Sequence, residues 1–235
     1  MRKSGMKKWL WGMGVGSAVL IVVAFLLGRF AFPNHILPAL PRPELAAGQR
    51  GELGIDKNIN EQTIDNYLGR SDAVYRDVRL LEDPGNYAAI GGDSYLSGFV
   101  DGFEVVPYPF IAEVSGLPAE VGEVKMPHTL FHKDGDKWVP NYEESLDIVK
   151  ALFPQDKVIF LMCGGGGYSG MMKDLLVSLG WDKDKIYDVG GYWFYDGAHK
   201  TEVKRIDKDG KVVYDFYKVP YHEIDFSTLT EISHD

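Results

Sequence analysis

The sequence holds one cysteine, Cys163, so no disulfide can form within the chain and the fold must rest on core packing. It is also short of positive charge. Lys and Arg number 25 against 34 Asp and Glu, a formal net charge of −9. Four of the cations, Arg2, Lys3, Lys7 and Lys8, fall in the first eight residues, which hold no acid; removing their charge leaves −13 for the rest. An acidic body excludes the basic surface that nucleic acid requires, so no nucleic-acid partner is expected. It also excludes adhesion of the domain face to anionic lipid. From Trp9 to Leu27 charged side chains are absent altogether, and no low-complexity tract or long repeat interrupts the remainder.

That uncharged run spans about 28 Å as a helix, close to the thickness of a bilayer core. Residues 1–8 are therefore read as a basic cytoplasmic tip and 9–28 as a transmembrane helix or signal anchor. The cluster before the run and the single Arg29 after it place the bulk of the chain on the extracytoplasmic side of the cell membrane, in a single-pass arrangement. The length of the run favours an uncleaved anchor over a cleaved signal peptide, whose apolar stretch is shorter. Gly12 and Gly16 form a G-x-x-x-G pair, read as small residues near a helix end in preference to a dimer face. Residues 29–54 carry Pro33, Pro38, Pro41 and Pro43 and read as a semi-extended spacer.

Globular patterning begins at Ile55. Helices are expected over Asn60–Leu68, Tyr142–Phe153 (capped by Asn141, stopped by Pro154) and Gly170–Leu179, and strands over Ala73–Val78, Val158–Met162 and Ile186–Val189. Strands alternating with helices make residues 55–200 an α/β domain with a central parallel β-sheet flanked by helices. Asp134-Gly135 within Thr129–Val139 and Asp209-Gly210 within Val203–Tyr217 predict two added β-hairpins. The second makes residues 201–235 a C-terminal extension packing on the domain. The aspartates of these turns fit turn chemistry and not a calcium loop.

The chemistry concentrates at Val158-Ile-Phe-Leu-Met-Cys163-Gly164-Gly165-Gly166-Gly167-Tyr168-Ser169-Gly170. A buried strand delivers Cys163 to its C-terminal end, glycines turn the backbone sharply, and a helix follows. Successive N–H groups and a helix N-terminus form an anion nest, which is expected to lower the thiol pKa. Three chemistries suit such a unit. Sulfur transfer through a Cys163 persulfide is one. A cysteine phosphatase needs an arginine at position 169, which is Ser. A dinucleotide site is spelled by Gly165, Gly167 and Gly170 with Asp188 about twenty residues on, but too little sequence follows for a full nucleotide domain.

Four segments together resemble the rhodanese family over Ile55 to Lys200. Asp77-Val78-Arg79 is similar to the motif closing the family's first strand. Gly98-Phe99-Val100-Asp101-Gly102-Phe103, then Val105-Val106-Pro107, is similar to its G-H-I-P-G-A…I-P segment. Cys163 to Ser169 matches its active loop, which begins with Cys and ends in Ser, and Val189-Gly190-Gly191-Tyr192-Trp193 its closing G-G…W. The resemblance implies a rhodanese-like fold, a sulfurtransferase with Cys163 as catalytic residue, a substrate- or anion-binding loop of Gly164, Gly165, Gly166, Gly167, Tyr168 and Ser169, and Asp77 and Arg79 as supporting scaffold. It implies no cofactor and no metal, and as partners a small sulfur donor or a protein persulfide. The chain departs from the family at Tyr168, where an arginine is frequent, and at Phe99, where a histidine is usual. The loop thus lacks positive charge. That implies weak turnover of dianionic thiosulfate and a preference for less charged donors, or else a binding module that keeps the fold without turnover.

Other polar residues are read plainly. His128 and His132 are surface histidines of a strand or loop. His199 or His222 could serve in a Cys–His pair, and nothing in the sequence places them beside Cys163. Tyr192 and Trp193 are expected to pack beneath the loop.

Overall fold

The computed structural model describes residues 38–47, 54–80, 98–114, 120–121, 124–125, 129–202, 204–214, 222 and 224–233. The expected transmembrane span 9–28 with its Gly12–Gly16 pair, and His128, lie outside them. No helix among the described residues is long and apolar enough to cross a membrane.

The strands are β1 (Ala73–Asp77), β2 (Phe99–Val100), β3 (Glu104–Val105), β4 (Glu120–Val121), β5 (Val124–Lys125), β6 (Phe131–Asp134), β7 (Lys137–Pro140), β8 (Val158–Cys163), β9 (Ile186–Gly191), β10 (Lys200–Thr201), β11 (Lys204–Ile206) and β12 (Val212–Tyr214). The helices are α1 (Tyr108–Ile111), α2 (Ser145–Leu152) and α3 (Gly167–Ser178). Strands β3, β1, β8 and β9 pair in that order, all parallel, to form the central sheet. The α/β class with a parallel sheet flanked by helices is what the alternation of patterns predicts.

Strand β8 explains why the sheet forms. Its alternate residues serve two cores: Ile159, Leu161 and Cys163 face the side of α2 and α3, with Val149, Met172 and Leu175, whereas Phe160 and Met162 face Ile59, Tyr75 and Val189. Burial on both faces makes the strand read as an unbroken apolar run. Register is fixed by a row of aromatic rings. Tyr75, Phe160 and Tyr187 are direct neighbours across β1, β8 and β9, with ring centroids 5.1 and 5.2 Å apart. Each such pair contributes about 0.5–1.5 kcal/mol beyond its burial.

Both expected hairpins form. β6 and β7 close at Asp134↔Lys137 around Gly135, and β11 and β12 at Ile206↔Val212. Gly135 and Gly210 take positive φ, of 59° and 79°, which is why Asp-Gly marks these turns.

Three helix boundaries differ from the sequence reading. Over Asn60–Leu68 there is only a 3-10 turn, Ile64–Tyr67. Here polar side chains compete with the backbone: Asn60 N donates to Thr63 Oγ1 at 3.0 Å, and Thr63 Oγ1 to Asn58 O at 2.8 Å. Helix α2 starts at Ser145 and not at Tyr142. Its expected cap, Asn141, is occupied elsewhere, donating from Nδ2 to Thr129 O at 2.8 Å and so tying the hairpin base. Helix α3 starts at Gly167, three residues early, because Gly166 at φ 93° turns the chain in a conformation open to glycine.

Segments at both ends of the described domain bond to it. Asp188 O accepts from Asp56 N, and Tyr187 OH donates to Pro41 O at 2.5 Å. Near the C-terminus, Ile232 N donates to Asn141 O at 2.9 Å, and Phe226 lies against Tyr142.

Candidate functional site

Cys163 is the last residue of β8 and 3% exposed. Its sulfur has two hydrogen-bond donors. Gly166 N donates at 3.0 Å and Ser169 Oγ at 3.5 Å. The first comes from the glycine turn and the second from the opening turn of α3, so the turn and the helix N-terminus converge on the sulfur as the strand–glycine–helix pattern requires.

The turn is tight because a second glycine pair lies against it. Trp193 N donates to Gly164 O at 3.1 Å. A Cβ on Gly191 would stand 2.3 Å from Gly164 O, and one on Gly164 2.7 Å from the Trp193 ring. Gly190-Gly191 and Trp193 thus close over Gly164-Gly165. The structure brings together the loop glycines and the closing segment, two motifs that the sequence offered separately.

Asp77 and Arg79 form a buried ion pair beside the end of β8. Asp77 pairs with Met162 across the sheet, one residue before the cysteine. Arg79 donates from Nε to both Asp77 oxygens, at 3.0 and 2.9 Å, and from Nη2 to Gly98 O at 2.7 Å. Its guanidinium lies 4.3 Å from the centre of the Tyr192 ring. Both charges are at most 2% exposed. Removing one partner of such a pair costs about 3–5 kcal/mol.

Tyr168 is half-buried, its ring 5.6 Å from that of Tyr108, and packs against the core. Gly167 is exposed and Gly165 half-buried. Neither His199 nor His222 pairs with the sulfur. His199 N donates to Tyr195 OH, and His222 meets Glu104 at 2.9 Å. His132 lies in β6 and meets Asn141.

The expectation of an acidic thiol is corrected by the structure. Burial raises the Cys163 pKa above its ordinary value, and the negative charge of Asp188 adds to the rise; the donors from Ser169 and Gly166 pull it down without prevailing. Partial charges of amides and one helix end, roughly half a unit, do not offset nearly complete removal from water.

What the sequence reading missed lies behind the loop. Asp188, weighed only as a ribose ligand, is fully buried in β9. By strand alternation it faces α3, the same side as Cys163. A carboxyl at 0% exposure cannot meet a ribose, so the glycine fingerprint loses its acid. Asp188 Oδ1 accepts from Gly190 N at 3.0 Å, and Oδ2 has no hydrogen-bond partner. Glu61 approaches the same place. Its buried Oε2 also lacks a partner and would lie 2.0 Å from a Cβ on Gly190. Lys173, 7% exposed on α3, completes the group. Burial pushes the Asp188 carboxyl up to about 7, opposed by the Ser169 hydroxyl, the Gly190 amide and Lys173, and reinforced by Glu61. Burial likewise lowers the Lys173 pKa, against the attraction of Asp188 and Asp56. One signal was legible: an aspartate within a six-residue strand that is otherwise apolar or glycine.

Among the described residues no group of His, Cys, Asp or Glu is arranged to hold a metal ion. Comparison with protein-family models, curated proteins and solved structures gives no match to this chain.

Proposed function

We propose that this protein is a rhodanese-like sulfurtransferase that carries sulfur as a persulfide on Cys163, anchored through residues 9–28 with its domain outside the cell membrane. The observation that carries the reading is the convergence of Gly166 N–H and Ser169 O–H on one sulfur at the end of a central parallel strand. The Cys163 thiolate attacks the outer sulfur of a donor. The donor's S–S bond breaks, its leaving group takes the electron pair, and the Cys163 persulfide remains for a nucleophilic acceptor. Donors aimed at a bound anion serve both the thiolate and the terminal persulfide sulfur.

The loop Gly164–Ser169 contains no cation, so dianionic thiosulfate is a poor donor and a less charged persulfide a better one. The test is kcat/KM with both donor classes in the wild type and in Cys163→Ser. Turnover favouring the less charged donor and abolished in Cys163→Ser is expected. Turnover that survives the substitution contradicts the mechanism.

The burial of Cys163 favours a second reading, a binding module that keeps the fold with an inert thiol. Absence of turnover with every donor class selects it.

A further inference from the structure

We propose that Asp188 is a positioning residue for the Cys163 thiol, accepting its proton through the hydroxyl of Ser169. The proposal rests on the reading of Cys163 as a nucleophile. Three observations carry it. Ser169 is fully buried, and its Oγ donates to the Cys163 sulfur at 3.5 Å. Asp188 lies on the next strand, facing the same helix, with Oδ2 3.4 Å from the position of a Cβ on Gly170, the residue after Ser169. That oxygen is buried and has no hydrogen-bond partner, although the Ser169 hydroxyl is close enough to lower the proton affinity of the carboxyl. An unpaired acceptor in a dry interior is destabilising by about 1–3 kcal/mol; one beside a hydroxyl that touches a nucleophile has a use.

The step is a proton transfer. The Ser169 hydroxyl, which donates to the sulfur at rest, turns to the unpartnered Asp188 Oδ2; the S–H bond of Cys163 then breaks and its proton passes to Ser169 Oγ as the hydroxyl proton of Ser169 passes to Asp188 Oδ2. A thiolate and a neutral carboxyl replace a thiol and a carboxylate, and net charge is unchanged. The charged groups facing Asp188 are set for this exchange. Burial disfavours the carboxylate and Glu61, from the segment before β1, adds to this, which together make Asp188 a stronger base than an ordinary aspartate; Lys173, from α3, tempers the shift. Asp56 bonds to the Asp188 carbonyl, and its own carboxylate is occupied by the amides of Glu44, Asn58 and Ile59. Glu61 also lines a cleft of about 220 Å³ and Lys173 one of about 350 Å³, whereas Asp188 lines neither.

The test is the pH dependence of alkylation of Cys163 by a small neutral reagent in the full-length protein, for wild type, Asp188→Asn and Ser169→Ala. It needs no sulfur donor, so its outcome is separate from that of sulfur transfer. The wild type should show a rise in rate centred near pH 7, the value of the buried carboxyl. Asp188→Asn should abolish that rise and slow the reaction at neutral pH at least about tenfold, within the range of general-base assistance. Ser169→Ala should do the same, and the double variant should be no slower than either. A carboxylate that merely repels the thiolate predicts the opposite sign, since its removal would speed alkylation. Unchanged or faster reaction in Asp188→Asn, or a wild-type thiol that the reagent does not reach, overturns the proposal. If Asp188→Asn does not fold, the profile of Ser169→Ala decides.

Discussion

At the scale of single residues, the site is governed by burial more than by charge. Cys163, Asp188, Glu61 and Lys173 are each at least nine-tenths buried, and desolvation is the largest influence on the proton affinities of Cys163, Asp188 and Lys173. This has a consequence for stability. The folded state holds the Asp188 proton up to about pH 7, whereas an ordinary aspartate releases it near 3.8. A raised carboxyl pKa contributes stability that is fully present below the ordinary value and is lost as pH rises through the folded value. Asp188→Asn stays neutral throughout. Its stability relative to wild type should therefore increase from pH 4 to above pH 7, read as the difference in denaturation midpoints. A difference that does not change with pH would contradict the buried, shifted carboxyl.

The elements show how the glycines divide their work. Four stand in a row after Cys163, yet the structure asks different things of them. Gly166 supplies the positive φ, Gly164 the close approach of Trp193, and Gly167 is an ordinary first residue of α3. Gly191→Ala would drive a Cβ into the backbone at Gly164 and Gly165, and should lower stability by about 1–3 kcal/mol. Gly167→Ala meets nothing within 4 Å and should be neutral or stabilising by up to about 1 kcal/mol, since alanine is the better helix former. Urea denaturation separates the two, and equal effects would contradict the packing described.

Across the whole molecule, hydrophobic patterning made the α/β class and strand β8 legible and Asp-Gly dipeptides both hairpins, because the apolar run Val158–Met162 and an Asp-Gly turn each fix a local conformation. Periodicity says nothing of partners distant in sequence. Ser169, Asp188 and Glu61 meet only after β8 and β9 pair and α3 crosses them, so the polar group behind the thiol was invisible, as was the burial that reverses the thiol's shift. The start of α3 was misplaced because a row of glycines reads as loop even where its last member is helical. The anchoring of the chain is proposed from the uncharged run at 9–27. Protease added to intact cells should cleave beyond Arg29 without lysis, and cleavage that requires lysis would contradict the orientation.

On the proposed function, Cys163 accepts a sulfur atom. Its most direct test is the intact mass of the full-length protein after treatment with a persulfide donor, for wild type and Cys163→Ser. Wild type should gain one sulfur atom, a gain reversed by a thiol reductant and absent from Cys163→Ser. No gain in wild type, or the same gain in both proteins, would contradict it.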